Sequence, residues 1–221
     1  LATHRHAGTT SFNVLYLREH GFGATEIGAF QAVLVLPFVL KILIGVVSDR
    51  VSLLGLGHRS PYIVLGLAVQ IAAFVALLSI VLPGQLPLFF AVALTAAVGM
   101  ALYDTGTDGL AVERTPARDR GLVQGIMVSA RASGLLCALL GGSWLVSDMG
   151  WPAVFYFVAL LSLPALVLAL LLWERGMRSQ QTAFDWTAFH ALGSRPVLAL
   201  AGFGLTYAFA LDGVLSYLSY H

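Results

Sequence analysis

Seven long apolar runs divide this sequence and restrict it to folds that place most of the chain in a lipid bilayer. A helix needs about 20 apolar residues to cross a bilayer, and the complete runs reach that length. Strands of a membrane barrel would alternate apolar and polar residues over about 10 positions, whereas these runs are uniformly apolar. The sequence therefore predicts an all-α membrane protein, with helices up to residue 17, over 27–48, 61–82, 87–112, 121–146 and 151–173, and from 196 onward.

The arrangement of the runs also predicts a domain organisation. The first run is shorter than the others and the last continues to residue 221, so we expect this sequence to be an internal piece of a longer protein. Residues 174–194 form the longest polar stretch, which is typical of a linker between two helical bundles. We therefore expect an N-terminal bundle over 1–173, a cytoplasmic linker over 174–194, and the first helix of a second bundle over 195–221.

Composition and motifs exclude several classes of function. The chain is 58% hydrophobic and 10% charged, against about 25% charged residues in soluble domains. Its net charge of +1 gives no reason to expect nucleic-acid binding, and its single cysteine excludes an internal disulfide. The sequence contains no nucleophile elbow, phosphate-binding loop or zinc-protease motif. We therefore expect neither an enzyme nor a bound cofactor or metal.

The basic residues are distributed asymmetrically between the loops. In the loops after the first, third and fifth runs, Arg18 is the only Lys or Arg. The loops after the second, fourth and sixth runs contain Arg50, Arg59, Arg114, Arg118, Arg120, Arg175, Arg178 and Arg195. Cytoplasmic loops of membrane proteins are enriched in Lys and Arg, so these loops are predicted to face the cytoplasm.

Four charged residues lie inside the second, fourth and fifth apolar runs: Lys41, Asp104, Asp108 and Arg131. Lys41 is the only lysine in the sequence, and a cation in a membrane helix costs at least about 2.5 kcal/mol. At 1.5 Å per residue, Lys41, Asp104 and Arg131 lie about 12, 13 and 15 Å from the inner ends of their helices. Charges from three helices therefore share one layer, which predicts a polar cluster in which Asp104 offsets Lys41, Arg131 or both.

Each of these charges also has a structural interpretation. The Lys41 amine could extend to the membrane interface, although its side chain is too short for that distance. Asp104 and Asp108 share a helix face and could bind Thr105 and Thr107, with Asp108 the more probable structural member. Arg131 could belong to a buried ion pair without a function. The third and sixth helices carry no charge and are expected to be peripheral.

The loop after the second run resembles a known family signature. Gly45-Val-Val-Ser-Asp49-Arg50, followed by Gly57-His58-Arg59, resembles the major facilitator signature, with a longer insert and a histidine in place of an arginine. Leu36-Pro37, Leu40-Lys41 and Asp104-x3-Asp108-Gly-Leu-Ala-Val-Glu113 are similar to the muropeptide permease (AmpG-like) and acetyl-CoA transporter branch. Folate–biopterin transporters share the Pro-x-x-x-Lys and Ser-Asp pattern. Light-harvesting assembly factors share a Ser-Asp and an Arg-x-Pro-Tyr-Ile pattern, the latter here Arg59-Ser60-Pro61-Tyr62-Ile63.

The resemblance implies a major facilitator fold of twelve helices in two six-helix bundles that rock around a central site. This chain would supply the N-terminal bundle and the start of the seventh helix. The leading interpretation is a secondary transporter of a polar organic solute in the bacterial inner membrane, and Asp104 and Asp108 suggest that protons drive it. Its partners would be the lipid bilayer and the missing C-terminal bundle. A non-transporting assembly or sensor protein on the same fold is the alternative.

Two sets of candidate site residues follow. Lys41 and Arg131 are expected to bind a carboxylate or phosphate group of the solute, and Asp104 and Asp108 to relay protons. The candidates for the cytoplasmic gate are the signature residues and the end of the fourth helix, namely Gly45, Asp49, Arg50, Arg59 and Glu113. His4, Arg5 and His6 lie in the first run without an Asp, Glu or Cys at metal-ligand spacing, and their role is left open.

Overall fold

The computed structural model describes residues 12–51, 53, 59–173 and 193–220, and every regular element in these ranges is helical. The all-α prediction is therefore confirmed. The α-helices are α1 (Phe12–Glu19), α2 (Ala24–Val39), α3 (Lys41–Arg50), α4 (Ser60–Leu77), α5 (Leu86–Arg114), α6 (Arg120–Met149), α7 (Trp151–Leu171) and α8 (Arg195–Tyr220). Five segments in these ranges are long and apolar enough to cross a membrane, namely Ala24–Ser48, Ser60–Leu77, Leu86–Arg114, Ala117–Met149 and Trp151–Leu171.

The chain divides into two compact units, residues 18–177 and residues 1–17 with 178–221. The first unit contains α2 to α7 and every candidate site residue that the structure describes. In the second unit, α8 is a single helix of 26 residues. Residues 174–192 of the predicted linker lie outside the described residues, so its boundaries stay predictions.

Proline and glycine set the ends of several helices. Pro61, Pro87 and Pro152 lie in the first turns of α4, α5 and α7. Proline is favoured there because the first N–H groups of a helix have no intrahelical acceptor. Gly150 ends α6 with a φ of 81°, a left-handed conformation that glycine adopts without steric cost. These boundaries are therefore explained by local sequence.

The second membrane span is interrupted near its middle. The prediction of one span is confirmed, but α2 ends at Val39, Leu40 forms a turn, and α3 begins at Lys41. Pro37 lies one turn before this break. Its ring has no N–H to donate and crowds the carbonyl four residues earlier, so it weakens the helix on the α2 side of the turn. The break places Lys41 in the first turn of α3.

The α4–α5 pair is held in close contact by glycines. A Cβ on Gly66 would lie 2.6 Å from both the Gly99 carbonyl oxygen and the Tyr103 amide nitrogen. A Cβ on Gly106 would lie 2.6 Å from Ile63 Cγ1. Small residues at a crossing allow helix backbones to approach this closely in a membrane. The two helices therefore form the most tightly packed part of the described bundle.

The uncharged helices α4 and α7, which were expected to be peripheral, differ in burial. Only 17% of the most apolar window of α7 is buried within the chain. For α4 the corresponding share is 50%, because α4 packs against both α5 and α7. Among the five described spans α4 is the most buried within this chain, and the peripheral position of α4 and α7 stays a prediction. Lack of charge permits contact with lipid but does not determine which helices pack against a segment.

Replacing Gly66 with alanine is expected to destabilise the protein by about 1–3 kcal/mol, the usual range for overpacking an interior. The added methyl group would meet backbone atoms of α5, which can move only if the two helices separate. Gly28→Ala in α2 is the matched control, because a Cβ there meets nothing within 4 Å. Thermal unfolding of both variants in detergent measures the difference. Equal unfolding midpoints for Gly66→Ala and Gly28→Ala would contradict the close packing of α4 against α5 at Gly66.

Candidate functional site

Four charged side chains from three helices meet inside the membrane-spanning segments. Lys41 Nζ lies 2.5 Å from Asp104 Oδ2 and 2.8 Å from Asp108 Oδ2. Arg131 Nη2 lies 2.6 Å from Asp108 Oδ1 and also pairs with Asp104 Oδ1. Each cation therefore bridges both carboxylates, and we call these four residues the charge cluster. The prediction that charges from the three helices form one polar cluster is confirmed.

The cluster depends on how each helix presents its residue. Asp104 and Asp108 are one turn apart on α5, so their carboxylates lie on the same helix face. Lys41 is the first residue of α3, directly after the turn at Leu40. Gly45, one turn further along α3, faces α5, since a Cβ there would be in ordinary van der Waals contact with Thr105 Cγ2 at 3.6 Å. α3 can therefore lie close enough to α5 for Lys41 to reach both carboxylates.

The contacts also bear on two of the alternatives, snorkelling of Lys41 and bonding of the carboxylates to threonine. The Lys41 ammonium contacts Asp104 and Asp108, so the snorkelling interpretation is wrong. The Thr105 hydroxyl donates to the Ala101 carbonyl and the Thr107 hydroxyl to the Tyr103 carbonyl. The carboxylates thus pair with the two cations, and the threonine hydroxyls bind their own helix backbone. Asp108, expected to be the structural member, contacts the same two cations as Asp104.

The cluster is electrically balanced and open on one side. Its two cations and two carboxylates sum to zero formal charge, which offsets much of the cost of placing ionised groups in a membrane. The exposed fraction of the side chains rises from 15% for Asp104 to 50% for Arg131. An anion could approach from the Arg131 side, but both cations are already paired. Protonation of a carboxylate would leave positive charge available for such an anion.

A second ion pair lies at the predicted inner ends of α4 and α5. Arg59 Nε donates to Glu113 Oε2 at 2.9 Å. The Arg59 guanidinium lies directly over Gly109, where any Cβ would overlap it. Two of the predicted gate residues therefore meet within the α4–α5 pair, in a group separate from the charge cluster. The glycine at position 109 provides the space for the arginine side chain.

The remaining candidates have different outcomes. Gly45 lies on the part of α3 that approaches α5, opposite Thr105. Asp49 and Arg50 lie in the last turn of α3, but their side chains lie outside the described residues. The predictions for His4, Arg5 and His6 also concern positions outside the described residues. Among the described residues no group of three metal-ligating side chains occurs.

Two polar side chains in the bundle were missed at the sequence level. The Tyr62 hydroxyl donates to the Val51 carbonyl at 3.0 Å, which joins the start of α4 to the end of α3. Gln70 of α4 is 8% exposed, and its Oε1 finds no donor among the described residues. A lone glutamine within an apolar run was a visible signal for Gln70. Tyr62 belongs to the Arg59-Ser60-Pro61-Tyr62-Ile63 pattern, but nothing in that pattern predicted its contact with Val51.

Comparison with known proteins identifies the family of this chain. A curated relative, "Probable folate-biopterin transporter 8, chloroplastic" of Arabidopsis thaliana, is 34% identical over 136 residues, which cover 60% of this chain and 24% of the relative. No solved structure matches the chain. The muropeptide permease and acetyl-CoA transporter branch stays a prediction. Residues 7–221 match the model described as Major Facilitator Superfamily, and the chain therefore belongs to the Major Facilitator Superfamily.

Proposed function

We propose that the full-length protein is a secondary active transporter that moves a polar organic solute by alternating access, coupled to protons. The observation that carries the proposal is the charge cluster, which places two cations and two carboxylates in membrane-spanning helices. Ionised residues at such depth are rare and commonly mark solute or ion pathways. Membership of the family and the transporter name of the relative support the same function.

Lys41 and Arg131 are proposed to bind an anionic group of the solute. Arginine can grip a carboxylate or phosphate through two parallel hydrogen bonds, whereas lysine acts as a point charge. Arg131 is half exposed and lies on the open side of the cluster, so it is proposed to meet the solute first. The name of the relative makes folate and biopterin the first solutes to test. Acetyl-CoA and a muropeptide complete a panel that covers the branches suggested by the sequence.

Asp104 and Asp108 are proposed to couple this binding to protons. Because the empty cluster carries no net formal charge, an added anion would leave uncompensated negative charge in the membrane. A proton on one carboxylate would restore the balance, which is the physical reason to expect the two to be taken up together. We further propose that the loops after the second, fourth and sixth spans face the cytoplasm of a bacterial inner membrane.

A non-transporting assembly or sensor protein is the second candidate. The observation that favours it is the complete pairing of the cluster, since buried ion pairs often have only a structural role. A protein of this class would not require a carboxylate that exchanges protons. Its activity would survive Asp104→Asn if the bundle still folds, so this variant separates the two candidates.

Lys41→Ala is expected to lower the apparent affinity for the solute about 10- to 100-fold, equivalent to about 1.5–3 kcal/mol for a hydrogen bond to a charged group. Lys41→Arg keeps the charge and is expected to retain part of the transport. Uptake of the solute panel into proteoliposomes containing the full-length protein measures both variants. Normal transport by Lys41→Ala, with unchanged affinity, would assign Lys41 a structural role only.

Collapse of an imposed pH gradient is expected to abolish accumulation of the solute by the wild-type protein. Asp104→Asn and Asp108→Asn are each expected to make uptake independent of the pH gradient, because an amide cannot take up and release the coupling proton. Asp119→Asn is the matched control, since Asp119 pairs with Arg118 outside the cluster and is 46% exposed. Accumulation that continues without the gradient would exclude proton coupling.

Asp49→Asn is expected to slow turnover while largely sparing solute affinity. We propose that Asp49 stabilises the closed cytoplasmic gate through the positive end of a helix in the other bundle, a contact of about 0.3–1 kcal/mol. Cysteine probes on the cytoplasmic side should consequently be labelled faster. Asp148→Asn is the control, because Asp148 lies at the C-terminal end of α6, away from the predicted cytoplasmic side. Wild-type turnover together with unchanged labelling would rule out this role for Asp49.

A further inference from the structure

α3 is a short helix that is separated from the preceding one and held at both ends. The turn at Leu40 interrupts the second span directly before α3. At its first residue, Lys41 is bound to Asp104 and Asp108 of α5. At its last turn, the Val51 carbonyl accepts the hydrogen bond from Tyr62 of α4. Both attachments therefore join α3 to the α4–α5 pair, whereas α3 meets α2 through the Leu40 backbone, whose amide donates to Leu36 and whose carbonyl accepts from Leu43 and Ile44.

Between these ends α3 is supported on one face only. Gly45 lies against α5, and Ser48 is 1% exposed with its hydroxyl bound to the Gly45 carbonyl. The opposite face consists of side chains that are about half exposed or more within this chain, namely Ile42, Leu43 and Val47. The two end contacts therefore contribute a large part of what holds α3 in position.

Tyr62 is well placed to fix the inner end of α3. It lies in the first turn of α4 and is 6% exposed. Its neighbour Ile63 packs against Gly106, so this turn of α4 is held firmly against α5. The last carbonyls of a helix lack intrahelical donors, and a side-chain hydroxyl can supply one. Tyr62 therefore acts as a side-chain cap that extends from the α4–α5 pair to α3.

We propose that Tyr62 is a positioning residue that anchors the end of α3 carrying Asp49 and Arg50. When a solute or a proton loosens Lys41 from the charge cluster, which rests on the proposed function, α3 pivots about this anchor. The break at Leu40 lets the helix move without carrying α2 with it. Occupancy of the cluster is thereby communicated to the signature residues at the inner end of the span. Loss of the Tyr62 hydroxyl would leave that end without its anchor.

The test measures the position of α3 by electron paramagnetic resonance in the full-length protein, with native cysteines replaced, including Cys137→Ala. Spin labels at Val47→Cys and Val112→Cys report the distance from α3 to α5, and both positions are exposed. Labels at Leu65→Cys and Val98→Cys, also exposed, report the α4–α5 pair as a reference. Tyr62→Phe, which removes only the hydroxyl, is expected to broaden the first distance distribution and leave the second unchanged. Tyr156→Phe, an exposed tyrosine on α7, is expected to change neither.

Two outcomes would overturn the proposal. An α3–α5 distribution that is unchanged in Tyr62→Phe would show that the hydroxyl does not anchor α3. Equal broadening of both distributions would show that Tyr62 supports the bundle in general. The measurement needs no solute, so it decides the role of Tyr62 even if the protein transports none of the panel. In transport assays, Tyr62→Phe is expected to lower turnover with little loss of solute affinity, whereas Lys41→Ala lowers affinity.

Discussion

An ionised side chain in the hydrocarbon layer of a membrane requires an opposite charge nearby, and this requirement joins three helices of the chain. Lys41 of α3 and Arg131 of α6 both bind the carboxylates of Asp104 and Asp108 on α5. Removing one partner from a buried ion pair costs about 3–5 kcal/mol of stability. The pairs of this cluster are partly exposed, so removing one of their partners is expected to cost less. The cluster therefore sets the relative depth of α3, α5 and α6.

The α4–α5 pair provides the frame on which these charges are arranged. Its glycines allow the two backbones to meet at Gly66 and Gly99, and Gly109 accommodates the Arg59 side chain that pairs with Glu113. Because one helix carries Asp104, Asp108 and Glu113, any movement of α5 affects both the charge cluster and the inner ion pair. A tightly packed helix is well suited to this position, since it transmits displacement with little internal adjustment.

The interruption at Leu40 gives the second span two parts with different attachments. α2 packs against α5 independently of α3, whereas α3 is bound to α5 through Lys41 and to α4 through Tyr62. Broken helices in secondary transporters typically occur where a site must form or change during the transport cycle. In this chain the break lies directly beside Lys41, one of the cluster cations, and one turn after Pro37.

Sequence alone determined the features that depend on single segments. The lengths of the apolar runs predicted the spans, because bilayer thickness limits each one separately. The constant rise of a helix placed Lys41, Asp104 and Arg131 at one depth, and that was sufficient to predict the cluster. Only the tertiary structure decided how each cation bridges both carboxylates, how deeply α4 is buried, and that Tyr62 contacts Val51. These features depend on helix rotation and crossing, which arise from packing between residues far apart in the chain and leave no local pattern.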